Sequence, residues 1–190
     1  LNYLLDHQTT PFILGTTGEA ASIPVPERDI LVNLLLENRR RGFPTITGVI
    51  GLTFPETVIQ ANKYLHKGVD AVVITLPYHY ELTEDQMYNY YNLLSEEIDG
   101  NMIIYNIPKT VHQSIPVRVI DRLSHKQNII GVKDSEMDLE RLKKSLHLWK
   151  DRKDFFHIVG VNALMPVGIE LGSKGMVPST ANFMPDLYVE

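Results

Sequence analysis

The sequence predicts an α/β fold built from parallel βαβ units in a single domain, residues 1–190, and three observations lead to it. Seven short runs rich in Val, Ile, Thr and aromatic residues recur along the chain, each apolar on both faces, as in parallel strands covered by helices. Between most of them lies a helical pattern with readable ends. Strand and helix alternate at a spacing of roughly 20 to 35 residues, the length of a strand–crossover unit. No linker, low-complexity segment or charge block interrupts the series, and 190 residues at 44% hydrophobic content are enough for a core.

The elements follow in order. The opening LNYLLDHQTT reads as the end of an amphipathic helix, and TTPFILG (9–15) as the first strand. PVPERDILVNLLLENRRRG reads as a helix with Pro26 in the place of a first helical residue, acids in the first turn, arginines in the last and Gly42 as the stop. After the strand PTITGVI (44–50), TFPETVIQANKYLHKG repeats that grammar from Thr53 to Gly68. The strand DAVVITLP (70–77) precedes a helix that opens with a capping-box pattern, Thr83 with Gln86, and closes on Gly100. NMIIYNIP (101–108), NIIGVKD (128–134), FFHIVGV (155–161) and SKGMVPS (173–179) complete the strands. SIPVRVIDRLSHK, DLERLKKSLHLWK and NALMPVGIELG are the helices between them.

Two architectures fit this alternation, an open doubly wound sheet and a (βα)8 TIM barrel. A dinucleotide-binding sheet calls for G-x-G-x-x-G after its first strand, and neither GTTGE nor any other stretch supplies it. The barrel is therefore the expectation. Seven strands leave a barrel with two open edges, and such domains typically run to about 250 residues. The expected fold is thus a barrel without its first strand and its C-terminal helices.

Composition removes several function classes. A net charge of −5 without a basic stripe argues against nucleic acid. The absence of cysteine excludes a disulfide scaffold, a thiol nucleophile and a zinc–thiolate site. The seven histidines, His7, His66, His79, His112, His125, His147 and His157, are scattered without ligand spacing. No apolar run approaches the roughly 20 residues of a membrane span, and the opening has neither an initiator Met nor a signal-peptide pattern. The expectation is a cytoplasmic protein with no membrane partner.

In a barrel, catalytic side chains project from the C-terminal ends of the strands and the loops beyond them. Those ends carry Gly15, Thr16, Thr17, Gly18 and Glu19, then Tyr78 and His79, Tyr105, Lys133, Gly160 and Asn162, and Ser179 with Thr180. Lys133 ends a strand that is otherwise apolar. A lysine is a nucleophile only when deprotonated, and apolar surroundings lower its pKa toward that state. The structural alternatives are an ion pair with Asp134 or a solvated strand end. Tyr105 reads either as packing or, beside an imine-forming lysine, as a proton shuttle. The GTTGE loop offers two hydroxyls and several N–H groups to a small carboxylate, or is an ordinary glycine turn. It lacks the Gly-Lys-Ser/Thr of a nucleotide loop, and Glu19 reads as an anchor of the loop. Trp149, Tyr88, Tyr90 and Tyr91 read as packing.

GTTGEAAS, LPYHY, YNIP and GVKDS occur in the order and spacing of the dihydrodipicolinate synthase/N-acetylneuraminate lyase family, and the chain resembles that family from the helix before GTTGE to GMVPSTAN. The resemblance implies a (βα)8-barrel lyase or aldolase that acts on pyruvate or a related 2-oxo acid and an aldehyde. It implies a lysine Schiff base, no metal or organic cofactor, and a homo-oligomer, tetramer or dimer. Lys133 would be the imine lysine and Tyr105 the proton relay. Thr16 and Thr17 would bind the carboxylate, with Gly15, Gly18, His79 and Val161 also at the substrate. Two departures bear on the second substrate: YNIPKTVHQS has Lys109 and Thr110 where the synthases carry an arginine, one residue later, and His79 stands where many have a second tyrosine. After the lysine, SEMD replaces the common Ser-Gly-Asp. A sugar-acid dehydratase is the alternative within the same resemblance; the rivals of another class are a catalytically silent 2-oxo-acid binder and a partial barrel without activity as isolated.

Overall fold

The computed structural model describes residues 1–50 and 53–189. Its centre is a seven-stranded, all-parallel sheet with the strands in chain order. The strands are β1 (Phe12–Ile13), β2 (Ile46–Val49), β3 (Ala71–Thr75), β4 (Met102–Asn106), β5 (Ile129–Asp134), β6 (Phe156–Val159) and β7 (Gly175–Met176). Each lies inside one of the seven runs read from the sequence. The helices are α1 (Asn2–Asp6), α2 (Val25–Glu37), α3 (Phe54–His66), α4 (Glu84–Glu97), α5 (Pro108–Val111), α6 (Val117–Leu123), α7 (Leu139–Trp149) and α8 (Met165–Glu170). The sheet curls: residues of β1 and β7 line one cavity, and α1 reaches the far end of the chain, where Tyr3 Oη donates to the Phe183 carbonyl at 3.2 Å. This is the α/β, TIM-barrel class of fold that the alternation predicts.

Strand alternation divides the core in two. Met102 and Ile104 of β4 point outward and pack with Tyr91, Leu94, Ile120 and Leu123 of the helix layer. Ile103 and Tyr105 point inward with Ala71 and Val73. The expected packing aromatics Tyr91 and Trp149 are buried; Tyr91 Oη donates to the Ile74 carbonyl at 2.9 Å and Trp149 Nε1 to Asp121 at 3.0 Å.

Three helix starts, those of α3, α4 and α7, carry side-chain caps. α3 and α4 both open on complete capping boxes, Thr53 with Glu56 and Thr83 with Gln86, which satisfy backbone donors that a helix start leaves unpaired. α2 departs from expectation at both ends. Pro26 is its second residue rather than its first, and the helix stops at Glu37, so none of the arginines lies in its last turn. Tertiary partners capture them instead: Arg39 and Arg40 pair at 2.7 Å with Asp70 and Asp6. Gly42 adopts a left-handed φ of +91° in the turn that follows. α5, just after β4, has no counterpart among the helices that the sequence pattern predicts.

One irregularity sets the site. Met102 pairs with Ile129, but Ile103 pairs with Gly131, so β5 gains a residue, Ile130, against β4. From there on the register is Tyr105 with Lys133 and Asn106 with Asp134. Without the extra residue Lys133 would oppose Asn106 and face the helix layer, because a one-residue slip flips every side chain. Gly131 allows the close approach of β6, since a Cβ there would meet the Phe156 carbonyl oxygen at 2.6 Å.

Candidate active site

Lys133 and Tyr105 stand side by side on the inner face of the barrel at the C-terminal ends of their strands. Lys133 is 6% exposed. Its Nζ lies 3.8 Å from the centre of the Tyr105 ring and 4.8 Å from that of Phe12. Among the described residues it joins no ion pair. Burial lowers the pKa of its ammonium from the ordinary lysine value, while Tyr105 opposes the shift in part. This is the environment in which a lysine gives up its proton most readily.

The Tyr105 hydroxyl is 3.3 Å from Thr16 Oγ1, which joins the GTTG loop to the lysine side of the site. Two left-handed residues that are not glycine bracket that loop, Leu14 at φ +54° and Glu19 at φ +51°. Such a conformation costs roughly 1–3 kcal/mol and is kept where the surroundings enforce it. Here β2 supplies the room: a Cβ on Gly48 would lie 2.0 Å from the Leu14 carbonyl oxygen.

Gly15, Thr16, Thr17, Gly18, Tyr105, Lys133 and Val161 all line one open cavity of 1320 Å³, together with Gly160 and Ser179. Thr16, Thr17 and Gly18 are exposed at its rim. His79 is not brought there: it is exposed and lies edge-to-face on Tyr80, ring centres 4.6 Å apart. Tyr78, Glu19 and Asn162 are likewise absent from the wall. Asn162 Nδ2 instead donates to Thr180 Oγ1 at 3.2 Å.

Sequence reasoning missed the layer behind the pair. Asn106 and Asp134 directly follow Tyr105 and Lys133 and therefore point away from the cavity. The Asp134 carboxylate accepts from Asn106 Nδ2 at 2.8 Å, from Arg141 Nε at 2.7 Å and from the Glu136 amide at 3.1 Å. The carbonyl oxygen of the Asn106 side chain accepts from the Ile115 amide at 2.9 Å. Glu136 accepts from Asn106 Nδ2 at 2.9 Å and from Ser114 Oγ at 2.5 Å. The ends of β4 and β5, the loop before α6 and the first turn of α7 are thus tied together. Asp134 pairs with Arg141 and not with Lys133; Asp134 is buried and Arg141 is partly so, its side chain 10% exposed. The one available signal was alternation, which puts Asp134 on the face opposite its neighbour. Beside this group His157 is pushed down to about 4 by burial, with Asp134 pulling the other way, so it is neutral near pH 7.

Arg141→Met is expected to lower stability by about 3–5 kcal/mol, because it strands a buried carboxylate without its partner. Urea unfolding of the variant checks this, and an unchanged midpoint would show that the pair is not needed.

A sequence profile described as the dihydrodipicolinate synthetase family matches residues 2–190. A 4-hydroxy-tetrahydrodipicolinate synthase of Wigglesworthia glossinidia brevipalpis is 30% identical over 182 residues, 96% of this chain and 60% of that one. An uncharacterized DapA-like lyase of Pyrococcus horikoshii is 33% identical over 181 residues, 94% of this chain and 62% of that one. The chain therefore spans about three fifths of the length of the curated relatives it matches. Among solved structures, dihydrodipicolinate synthase from Bacteroides thetaiotaomicron superposes with a TM-score of 0.92 at 26% identity, covering 99% of this chain and 63% of that one. The Thermotoga maritima protein gives 0.93 at 24% identity, covering 99% and 65%, a likeness of fold.

Proposed function

The chain belongs to the dihydrodipicolinate synthetase family, and from that premise we propose that the complete protein is a class I, Schiff-base aldolase or lyase that joins pyruvate to an aldehyde or releases it. The observation that carries this reading is Lys133, buried without a carboxylate partner among the described residues and set in register with Tyr105. The neutral amine adds to the 2-oxo carbon of pyruvate, whose carboxylate is held by the hydroxyls of Thr16 and Thr17. Tyr105 delivers the proton with which the carbinolamine hydroxyl leaves as water, and the Tyr105–Thr16 contact gives the phenol a partner for that exchange. The resulting iminium draws electrons from C3, which loses a proton to give an enamine. The enamine carbon attacks the aldehyde carbonyl, whose oxygen takes up a proton, and water then hydrolyses the imine and frees Lys133. Run backwards, the same steps cleave a 2-oxo-4-hydroxy acid. The proposed steps call on no organic cofactor. We further propose a homo-oligomer; a monomeric synthase variant is among the structural relatives, so sedimentation is the direct measurement.

The cavity wall supports a reading of the second substrate. No arginine is among the described residues lining it, and Lys109 is an exposed point charge that cannot grip a carboxylate through a planar fork. The expected result is a preference for a hydroxylated or uncharged aldehyde over aspartate semialdehyde. Values of kcat/KM for pyruvate condensation with each, measured on protein expressed from its complete reading frame, test this. A clear preference for the semialdehyde would overturn it. Screening pyruvate release from a panel of 2-oxo-4-hydroxy acids tests the reaction class itself.

A further inference from the structure

Glu136 is the only carboxylate among the described residues on the wall of the cavity that holds Lys133. Its position is built. Oε2 accepts from Ser114 Oγ and Asn106 Nδ2 and lies 3.4 Å from Arg141 Nε, whereas Oε1 has no hydrogen-bond donor among the described residues. The side chain is 25% exposed, and the residue borders both this cavity and a small recess lined by Asp134, Asp138 and Arg141. Charge around it does not cancel. Asp134 takes the closer approach to Arg141, at 2.7 Å, so two carboxylates share one guanidinium and a single negative charge is left over. Ser114 and Asn106 are neutral donors, and His157 is uncharged near pH 7. Lys109 and Lys174 also line the cavity but are exposed, where solvent screens them.

We propose that Glu136 determines the second substrate of this site: its free oxygen accepts hydrogen bonds from the hydroxyls of a neutral polyhydroxylated aldehyde, and its charge rejects aldehydes that carry a carboxylate. This rests on the Schiff-base aldolase reading and adds to it a residue that selects. A hydrogen bond to a charged acceptor is among the stronger ones, and an anion brought beside a half-buried carboxylate is repelled.

The test compares kcat/KM for pyruvate with glyceraldehyde, which is neutral and hydroxylated, against pyruvate with succinic semialdehyde, which is anionic. It is made on the wild type, Glu136→Gln and Glu136→Ala, each in the complete protein. In either folded variant the ratio of glyceraldehyde to semialdehyde is expected to fall by about tenfold or more, mostly through the KM of the aldehyde. In the wild type, raised ionic strength is expected to narrow the same ratio, a readout that needs no variant. Borohydride trapping of pyruvate on the wild type runs in parallel. A trapped adduct with an unmoved ratio overturns the role of Glu136 and leaves the aldolase reading standing. The absence of an adduct overturns both.

Discussion

Lys133→Ala is expected to bring turnover down to background, a loss on the order of 10⁴–10⁶-fold, the scale on which removing a catalytic nucleophile or its partner acts. Lys133→Arg is expected to do the same, since a guanidinium stays protonated and cannot attack a carbonyl. The alanine variant should fold, because the lysine joins no ion pair among the described residues and its removal strands no buried carboxylate. Steady-state assay of both variants, with circular dichroism as the check on folding, decides the matter. A variant that kept a tenth of wild-type activity would remove Lys133 from the chemistry. In the wild type, activity should rise with pH as Lys133 loses its proton, at a pH below that of an ordinary lysine, because burial favours the neutral amine.

Tyr105→Phe keeps the ring beside Lys133 and removes only the hydroxyl. It is expected to lower kcat by roughly 10²–10⁴-fold if the phenol carries the proton in carbinolamine breakdown. A second signature separates this from a packing defect. Tyr105 opposes the lowering of the Lys133 pKa, so without the hydroxyl the acid limb of the pH–rate profile should move to lower pH. Near-normal turnover with an unmoved limb would return Tyr105 to packing.

The strands were legible because β-branched and aromatic residues crowd the seven runs and each run is apolar on both faces, and the capping box at Thr83 is a purely local signal. The arginines after α2 misled because their partners, Asp6 and Asp70, are distant in sequence, and helix-dipole reasoning sees only neighbours. The register shift at Ile130 left no trace in composition, although it decides that Lys133 faces the cavity. The loop glycines, Thr16, Thr17, Tyr105, Lys133 and Val161 could be gathered from barrel geometry and motif order, and they share one cavity. His79 holds a position whose tyrosine in many synthases reaches into the neighbouring subunit's site, and its side chain stands outside the wall of this chain's own cavity. Asn106, Ser114 and Arg141 escaped because their value lies in contacts across 22 to 30 positions or across a helix start, which no short motif records.

Incubating the complete protein with pyruvate and borohydride, then mapping the modified peptide by mass spectrometry, tests the imine most directly. One reduced pyruvyl group per chain on the peptide containing GVKDS, absent from Lys133→Ala, is the predicted result. An adduct that persists in that variant, or no adduct at all on active wild-type protein, would contradict the account.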